Sequence, residues 1–384
     1  MPSRLYNAEP SAYLRSLDLG VEGMTADIAT IEFDEFGTFW HRRQLEDAIA
    51  LVRQRNREAQ RGVIVVMYVH GWMNNADRSL DAGDLATFEA AMRALAVDLH
   101  AEGDPAPDRL VGVYLGWRGA TTSIPLWREL TFWDRKDTAE RIASYHVRET
   151  FFRLTKTAKE RADSKVLISG HSMGGMIVAK TLGPSLSTLL LAMGDEGIPA
   201  LADMVLLQNP ALDALSSLHF IEFLKRWRAK VELRHTDGTV QRARGPIMVS
   251  ITSEADWVTR LAYPLGQWID YMTTAVRGST EYGVPSQWQM ATETHGHLDY
   301  LVSHRAWVED GEIVLEPVPA AFNTTPFWVV QVSKEISRNH SDVHNPRFVE
   351  LVERLTKMNR LYDSEVKTWI RAAGPGNDME PIGR

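Results

Sequence analysis

Cysteine is absent from this 384-residue chain. That excludes disulfides, thiolate metal sites, iron–sulfur clusters and a cysteine nucleophile together. It suits the cytosol, although exported proteins also lack cysteine. Long hydrophobic runs are missing too. The longest are Val63–Val69 and a stretch around Leu189–Met193, well short of the ~18–20 residues of a membrane span. Residues Met1–Ser16 hold no apolar core of the kind a secretory signal needs. The expectation is therefore a cytoplasmic protein, with export by another route left open. A basic surplus is lacking: 42 Lys and Arg against 50 Asp and Glu leave a net charge of −8, which argues against a nucleic-acid partner. No internal repeat and no low-complexity stretch occurs. No G-x-G-x-x-G follows a strand-like run, so no dinucleotide cofactor is expected.

What remains is a globular composition, 44% hydrophobic and 24% charged. The length admits two or three small domains, or one with insertions. Short apolar runs recur at Ile28–Phe33, Val63–Val69, Leu110–Leu115, Val166–Ser169, Met204–Leu207, Ile247–Ile251 and Phe327–Val332. Most are rich in Val, Ile and Leu and do not alternate with polar residues, as strands of a parallel sheet covered on both faces should read. Helical spacing marks Gln44–Ala59, Leu85–Glu102, Thr138–Ala162, Met173–Met193, Ala214–Ala229 and Phe348–Ala372. This alternation predicts a mostly parallel, doubly wound α/β sheet in a single domain. Two stretches break the rhythm, 117–134 and 257–326, and are expected to be a small insertion and a cap or lid. Asp-Gly pairs at Asp237-Gly238 and Asp310-Gly311 mark hairpin turns.

The strongest motif is Gly170-His171-Ser172-Met173-Gly174-Gly175. A bare G-x-S-x-G arises by chance in about one chain of this length in ten. Here it follows a strand-like run and opens a helical one, which is the setting of a nucleophile elbow. The tight turn leaves no room for side chains at Gly170 and Gly174. About 100 residues upstream, the run Val63–Val69 ends in His70-Gly71-Trp72. In such an arrangement one oxyanion donor is an N–H from that loop and the other is the N–H after the serine, here Trp72 and Met173.

A serine needs a base, and the base needs an orienting carboxylate, in the chain order Ser, acid, His. The base belongs after the last strand, which leaves His340 and His344. His344 lies just before Asn345-Pro346, a helix start, so His340 is preferred. Asp256 and Glu254 follow the Ile247–Ile251 run, and Asp213 follows the Met204–Leu207 run. Asp256 is preferred, because Asp213 also reads as a helix cap.

On these residues the chain resembles the α/β-hydrolase superfamily, of the serine esterase and lipase type. It is similar, more narrowly, to a group of uncharacterised α/β-hydrolases. The resembling stretches are Ile31–Asp34, Val69–Asn75, Gly112–Gly119 and Thr131–Arg135. Ser250–Thr259 resembles the loop bearing the family acid, at Asp256, and Asn339–Asp342 the loop bearing the family histidine, at His340. The resemblance spans roughly residues 28–360. It implies an α/β-hydrolase fold with cap or lid insertions, a Ser172–His340–Asp256 triad, no cofactor, and a small-molecule or lipid ester as substrate. The long segment after the Asp256 strand departs from the commoner plan, in which a cap follows the preceding strand. An exported lipase would share all of these features.

Three signals are weighed against this reading. His295-Gly296-His297, with His304 nearby, has metal-ligand residue types, but no strand leads into it and a polar loop is the plainer reading; no metal is expected. Arg118, Arg128 and Arg135 are expected to be solvated or salt-bridged. The 12 Trp include Trp117, Trp127, Trp133, Trp257, Trp268 and Trp288 within the two insertions. They are either packing or the wall of an acyl pocket. Fold does not prove activity, so a non-catalytic binding or interaction module stands as the second reading. It requires that one of the three site positions fail to meet the others. Oligomeric state is not readable from the sequence.

Overall fold

A computed structural model of the chain describes residues 13–17, 25–76, 84–101, 109–119, 132–193, 202–227, 233–234, 240–241, 246, 248–264, 267, 284–319 and 327–358. Within these, ten strands form one sheet. In chain order they are β1 (Leu14–Leu17), β2 (Thr25–Glu32), β3 (Val63–Val69), β4 (Arg109–Gly116), β5 (Lys165–His171), β6 (Met204–Gln208), β9 (Met248–Ser253), β10 (His304–Glu309), β11 (Glu312–Pro317) and β12 (Phe327–Val332). The short strands β7 (Leu233–Arg234) and β8 (Val240–Gln241) pair separately as a hairpin. The sheet order is β1-β2-β4-β3-β5-β6-β9-β12-β10-β11. From β2 to β10 every pairing is parallel, and β1 and β11 add antiparallel edges.

Strand β3 shows why the sheet is covered on both faces. All seven of its residues are buried. Because side chains alternate across a strand, Val63, Val65, Met67 and Val69 enter one core, while Ile64, Val66 and Tyr68 enter another. The first core packs under α1 (Arg42–Glu58), α4 (Tyr145–Ala158) and α5 (Met173–Met193). It takes Leu45, Ile49 and Val52 from α1, Phe151 and Leu154 from α4, and Ile177 and Leu182 from α5. The second packs under α2 (Asp84–Ala101) and α8 (Pro346–Met358) through Leu85, Phe88, Phe348 and Leu351. A side chain at Gly112 of β4 would crowd Ile28 and the Phe88 ring, so glycine lets α2 seat against the sheet.

Several expectations meet a different local structure. The predicted helix Thr138–Ala162 is two helices, α3 (Phe132–Ile142) and α4, broken at Ala143-Ser144. Gly37 packs against Ile142 and Ser144 there, at a positive φ of 75°. Strand β1 was too short and polar to read. Within the segment 257–326, β10 and β11 join the main sheet beside β12, so that part extends the fold instead of standing apart as a cap. Its turn residues Asp310 and Gly311 have φ of 51° and 85°, the left-handed pair that an Asp-Gly hairpin requires. Two further helices belong to the site's surroundings, α6 (Ala214–Trp227) and α7 (Gln287–Thr292). The tip Asp237-Gly238, Trp127, Arg128 and Trp268, residues 120–131, 265–266, 268–283 and 320–326, and the predicted helical stretch past Met358 lie outside the described residues.

Parallel strands all point the same way, so the loops after β3, β5, β6, β9 and β12 emerge on one edge of the sheet. That carboxyl edge is where open α/β sheets bind ligands. These five strands are consecutive neighbours, and each delivers one residue of the site described next.

Candidate active site

Ser172 stands between the end of β5 and the start of α5, with φ at 55°. That left-handed value is unusual for a residue with a side chain and is held by what surrounds it. A Cβ at Gly170 would lie 2.5 Å from the Gly174 carbonyl oxygen, and one at Gly174 would lie 2.1 Å from that of Val69. Both positions therefore exclude any other residue, and the elbow is pressed against the end of β3. Ser172 is itself buried and seated by its backbone: its N–H donates to the Gln208 carbonyl at 2.9 Å and its carbonyl accepts from Ala211 N–H at 3.1 Å.

His340 arrives on the loop after β12. Its Nε2 lies 2.8 Å from Ser172 Oγ and its Nδ1 lies 2.8 Å from Asp256 Oδ2. A carboxylate only accepts, so Nδ1 carries the ring proton and Nε2 is left to accept from the serine hydroxyl. The second reading's requirement, that one position fail to meet the others, is not what the geometry has. Asp256 follows β9 and is fully buried. Burial raises its carboxyl, but donation from His340, the charge of His340 and donation from Thr259 outweigh it, so its pKa lies below the ordinary value.

The competing residues sit elsewhere. Asp213 accepts from Ser216 N–H at 2.7 Å and Ser216 Oγ at 2.8 Å, capping α6. Glu254 accepts from Lys334 N–H at 3.2 Å. His344 lies on the exposed turn before α8.

The His70-Gly71-Trp72 loop lies against the serine: a Cβ at Gly71 would come 3.0 Å from the Ser172 Cβ. His70 is fully buried. Its Nε2 accepts from Trp117 N–H at 3.0 Å, so its Nδ1–H donates to the Gly71 carbonyl at 2.8 Å. Burial pushes its pKa down, keeping the ring neutral as this pattern needs. Trp117 stacks on the ring at 5.5 Å and donates its Nε1–H to the His70 carbonyl at 2.9 Å. This tryptophan is thus packing for the loop. Trp257 and Trp288 are exposed, at 59% and 37%. Arg118 and Arg135 both pair with Glu35, as a salt-bridged face should.

Residues not singled out in the sequence complete the surroundings. The His340 carbonyl accepts from Asn209 Nδ2 and from His171 Nε2, each at 2.9 Å. Asn209 Oδ1 in turn accepts from Ser253 N–H at 2.9 Å. Asn209 has φ at 42°, and an asparagine just past a strand was the one available signal of that conformation. His295, His297 and His304 diverge. His304 stacks on Trp328 at 4.0 Å, and the other two face β9 and its loop.

The strand order, the elbow after β5 and the loops after β3, β9 and β12 define an α/β-hydrolase fold. No protein-family model and no curated protein matches the chain. Among solved structures it is similar to phospholipase PlaB from Legionella pneumophila. That match has 14% identity and a TM-score of 0.33, over 77% of this chain and 60% of that one. It is also similar to the same phospholipase in complex with thio-NAD, at 16% identity and a TM-score of 0.29, over 66% of this chain and 47% of that one. The chain therefore spans less than two thirds of the length of either. Among the described residues no helix is long and apolar enough to cross a membrane.

Proposed function

We propose that this chain is a serine hydrolase acting on carboxylic esters. The observation that carries the proposal is the continuous path from Ser172 Oγ through His340 to Asp256, with both contacts at 2.8 Å and the serine on a strained elbow. In this reading His340 Nε2 takes the hydroxyl proton as Ser172 Oγ attacks the ester carbonyl. Asp256 holds the ring by its Nδ1–H and offsets the charge of the imidazolium. The tetrahedral oxyanion is met by the N–H groups of Trp72 and Met173. His340 then gives its proton to the leaving alcohol, an acyl-enzyme remains, and water enters by the same steps in reverse order.

The Gly71–Trp72 peptide supports the assignment of Trp72. A trans peptide is planar, so its C=O and N–H point in opposite directions. His70 holds the Gly71 carbonyl on one side and thereby fixes where the Trp72 N–H points. Met173 opens α5, where helix-terminal N–H groups collect.

An apolar acyl group, from a small molecule or a lipid, is the substrate class this reading favours. Its support is the exposed apolar surface on the acid loop and beyond, with Trp257 and Leu261 at 59% and 61% exposure and Trp288 at 37%. The acid loop with Trp257 and Leu261, together with Trp288 on α7, is the proposed wall of the substrate entrance.

A fluorophosphonate probe tests the core of the proposal. Wild type is expected to be labelled, and Ser172→Ala is not; equal labelling of the two overturns it. A series of esters graded by acyl length, with a phospholipid included, tests the acyl preference. Rates that ignore chain length remove the apolar-substrate claim and leave the chemistry standing.

A further inference from the structure

The segment His295-Gly296-His297 is unexplained by the chemistry above, yet all three of its residues are fastened to the strand and loop that carry Asp256. His295 is fully buried, with one ring nitrogen 2.8 Å from Ser217 Oγ and the other 2.6 Å from Ser250 Oγ on β9. Gly296 rests on Thr252 of the same strand so closely that a Cβ would lie 2.1 Å from its hydroxyl oxygen. Gln331 on β12 donates to the Gly296 carbonyl at 3.1 Å. His297 reaches past the end of β9, and its Nε2 lies 3.0 Å from Thr259 Oγ1.

Proton counting fixes the roles at Thr259. Its hydroxyl lies 2.6 Å from Asp256 Oδ2, and an ionised carboxylate can only accept. The single hydroxyl proton is therefore spent on Asp256. Towards His297 the oxygen can only accept, so His297 carries its proton on Nε2. The hydrogen-bonded chain then runs His297, Thr259, Asp256, His340, Ser172, each donating to or accepting from the next. The carboxylate is filled from all sides: Oδ1 accepts from Val258 N–H at 3.0 Å and Thr259 N–H at 3.2 Å, and Oδ2 from the Thr259 hydroxyl and His340.

We propose that Thr259 and His297 are positioning residues for Asp256, held in place by the His295–His297 segment, and that they set how strongly Asp256 engages His340. The inference rests on the reading of Ser172, His340 and Asp256 as a catalytic set. Thr259 and His340 share one oxygen of the carboxylate, so the hydroxyl draws off charge that the imidazole would otherwise receive. His297 polarises that hydroxyl and keeps its proton turned inward, since a chain of donors strengthens each link. The charged and titratable groups facing this network are Asp256 and Arg260 from the acid loop and His340 from the base loop, with His171 of the elbow beside His340 and Asp256. Burial keeps His297 neutral, with a pKa near 4, so it remains a donor from one side only throughout the working range.

The test is the rate of fluorophosphonate labelling of Ser172 against pH in wild type, Thr259→Val, Thr259→Ser, His297→Phe, His297→Gln and His297→Asn. Thr259→Val keeps the shape and removes the hydroxyl. It should move the midpoint of the profile upward by roughly half to one pH unit, since an unshared carboxylate favours the imidazolium. Its plateau should fall roughly tenfold as Asp256 loses its register. His297→Phe should shift the midpoint in the same direction by less. Thr259→Ser and His297→Gln should restore the wild-type midpoint, because the serine keeps the hydroxyl and the glutamine amide nitrogen stands where Nε2 does. Should the Val and Phe variants not fold, the Gln and Asn pair decides. Asparagine is one bond too short to reach Thr259, so only His297→Asn should shift. Unchanged midpoints across the set, with only a lowered melting temperature, mean a merely structural segment and overturn this inference while Ser172 labelling stands. Wild type labelled no faster than Ser172→Ala overturns the hydrolase reading itself, and this one with it.

Discussion

The side-chain amide of Asn209 donates to the main-chain carbonyl of His340 at 2.9 Å, across 131 residues of sequence. The same side chain accepts from Ser253 N–H at the end of the acid strand. One residue therefore ties the loop of the proposed base to the strand that carries the proposed acid. Asn209→Ala should lower the labelling rate of Ser172 by roughly ten- to a hundredfold through misplacement of His340. It should also cost about 1–3 kcal/mol of stability, because the Ser253 N–H is left buried without its acceptor. Asn209→Asp keeps that acceptor and loses the donor, so it should recover part of the stability and little of the rate. Labelling kinetics and urea unfolding on the two variants separate these effects, and an alanine variant with the wild-type rate would contradict the role given to Asn209.

The elbow makes a sharper demand at Gly174. An added methyl would meet the backbone oxygens of Val69 and His70, which cannot swing aside like a flexible side chain. Gly174→Ala is expected to lose more than ~3 kcal/mol or to yield no folded protein. Gly183, further along the same helix, offers the contrast. It lies within the helix, and beyond its own chain neighbours and helix backbone the nearest atom to a Cβ there is 3.8 Å away on Phe220. Gly183→Ala should change stability by less than ~1 kcal/mol, because the gain in helix propensity is offset by the Pro184 ring crowding a Cβ on the helical residue before it. Denaturant unfolding of the pair checks both, and a stable Gly174→Ala would refute the packing described for the elbow.

Some of this was legible in the sequence and some was not, for physical reasons. Runs such as Val63–Val69 read as parallel strands because burial on both faces removes the polar alternation. Ser172 read as an elbow because the two glycines around it are local requirements of a tight turn. Asp256 and His340, the proposed acid and base, were picked from the chain order that the fold sets. The supporting shell was hidden. Asn209, Thr259 and His297 are ordinary polar residues whose proposed roles rest on contacts across 131, 3 and 38 positions. Nothing about their spacing distinguishes them from surface residues. The strands β10 and β11 were misplaced because an antiparallel hairpin looks the same whether it stands alone or joins the edge of a sheet. Its partner, β12, comes later in the chain.

His70 is the residue through which the proposed oxyanion loop is tested. It holds the Gly71 carbonyl with Nδ1–H and accepts Trp117 N–H at Nε2, while Tyr114 and Trp117 stack on the ring. Phenylalanine would keep the stacking and lose both hydrogen bonds. With the Gly71–Trp72 peptide free to turn, the proposed oxyanion donor would be lost, an effect worth about 3 kcal/mol in the transition state. His70→Phe should therefore lower kcat on a reactive ester by roughly a hundredfold, with KM little changed because the ground-state ester needs that donor less. Steady-state kinetics on a nitrophenyl ester make the split visible. A rise in KM with kcat intact would place His70 in substrate binding instead.

Acid should weaken this fold well before its carboxylates titrate. Burial drives the pKa of His171 and His295 down to about 3, and of His297 and His304 to about 4, from an ordinary 6.5. In the unfolded chain these rings take up protons as the pH falls through 6.5, while in the folded chain they stay neutral. The unfolded state then binds more protons, so stability falls as pH falls. The loss begins near 6.5 and continues until the folded-state values near 4 and 3 are reached. In that window each ring contributes about 1.4 kcal/mol per pH unit. Urea unfolding midpoints measured at pH 7.5, 6.5 and 5.5 (settings chosen to bracket the ordinary histidine range of about 6.5) should fall modestly between the first two and drop steeply to the third. Replacing His304 by glutamine, which does not titrate, should make that drop shallower by one ring's share. A flat profile across the three conditions would mean that these histidines protonate in place, and that their burial does not hold them neutral.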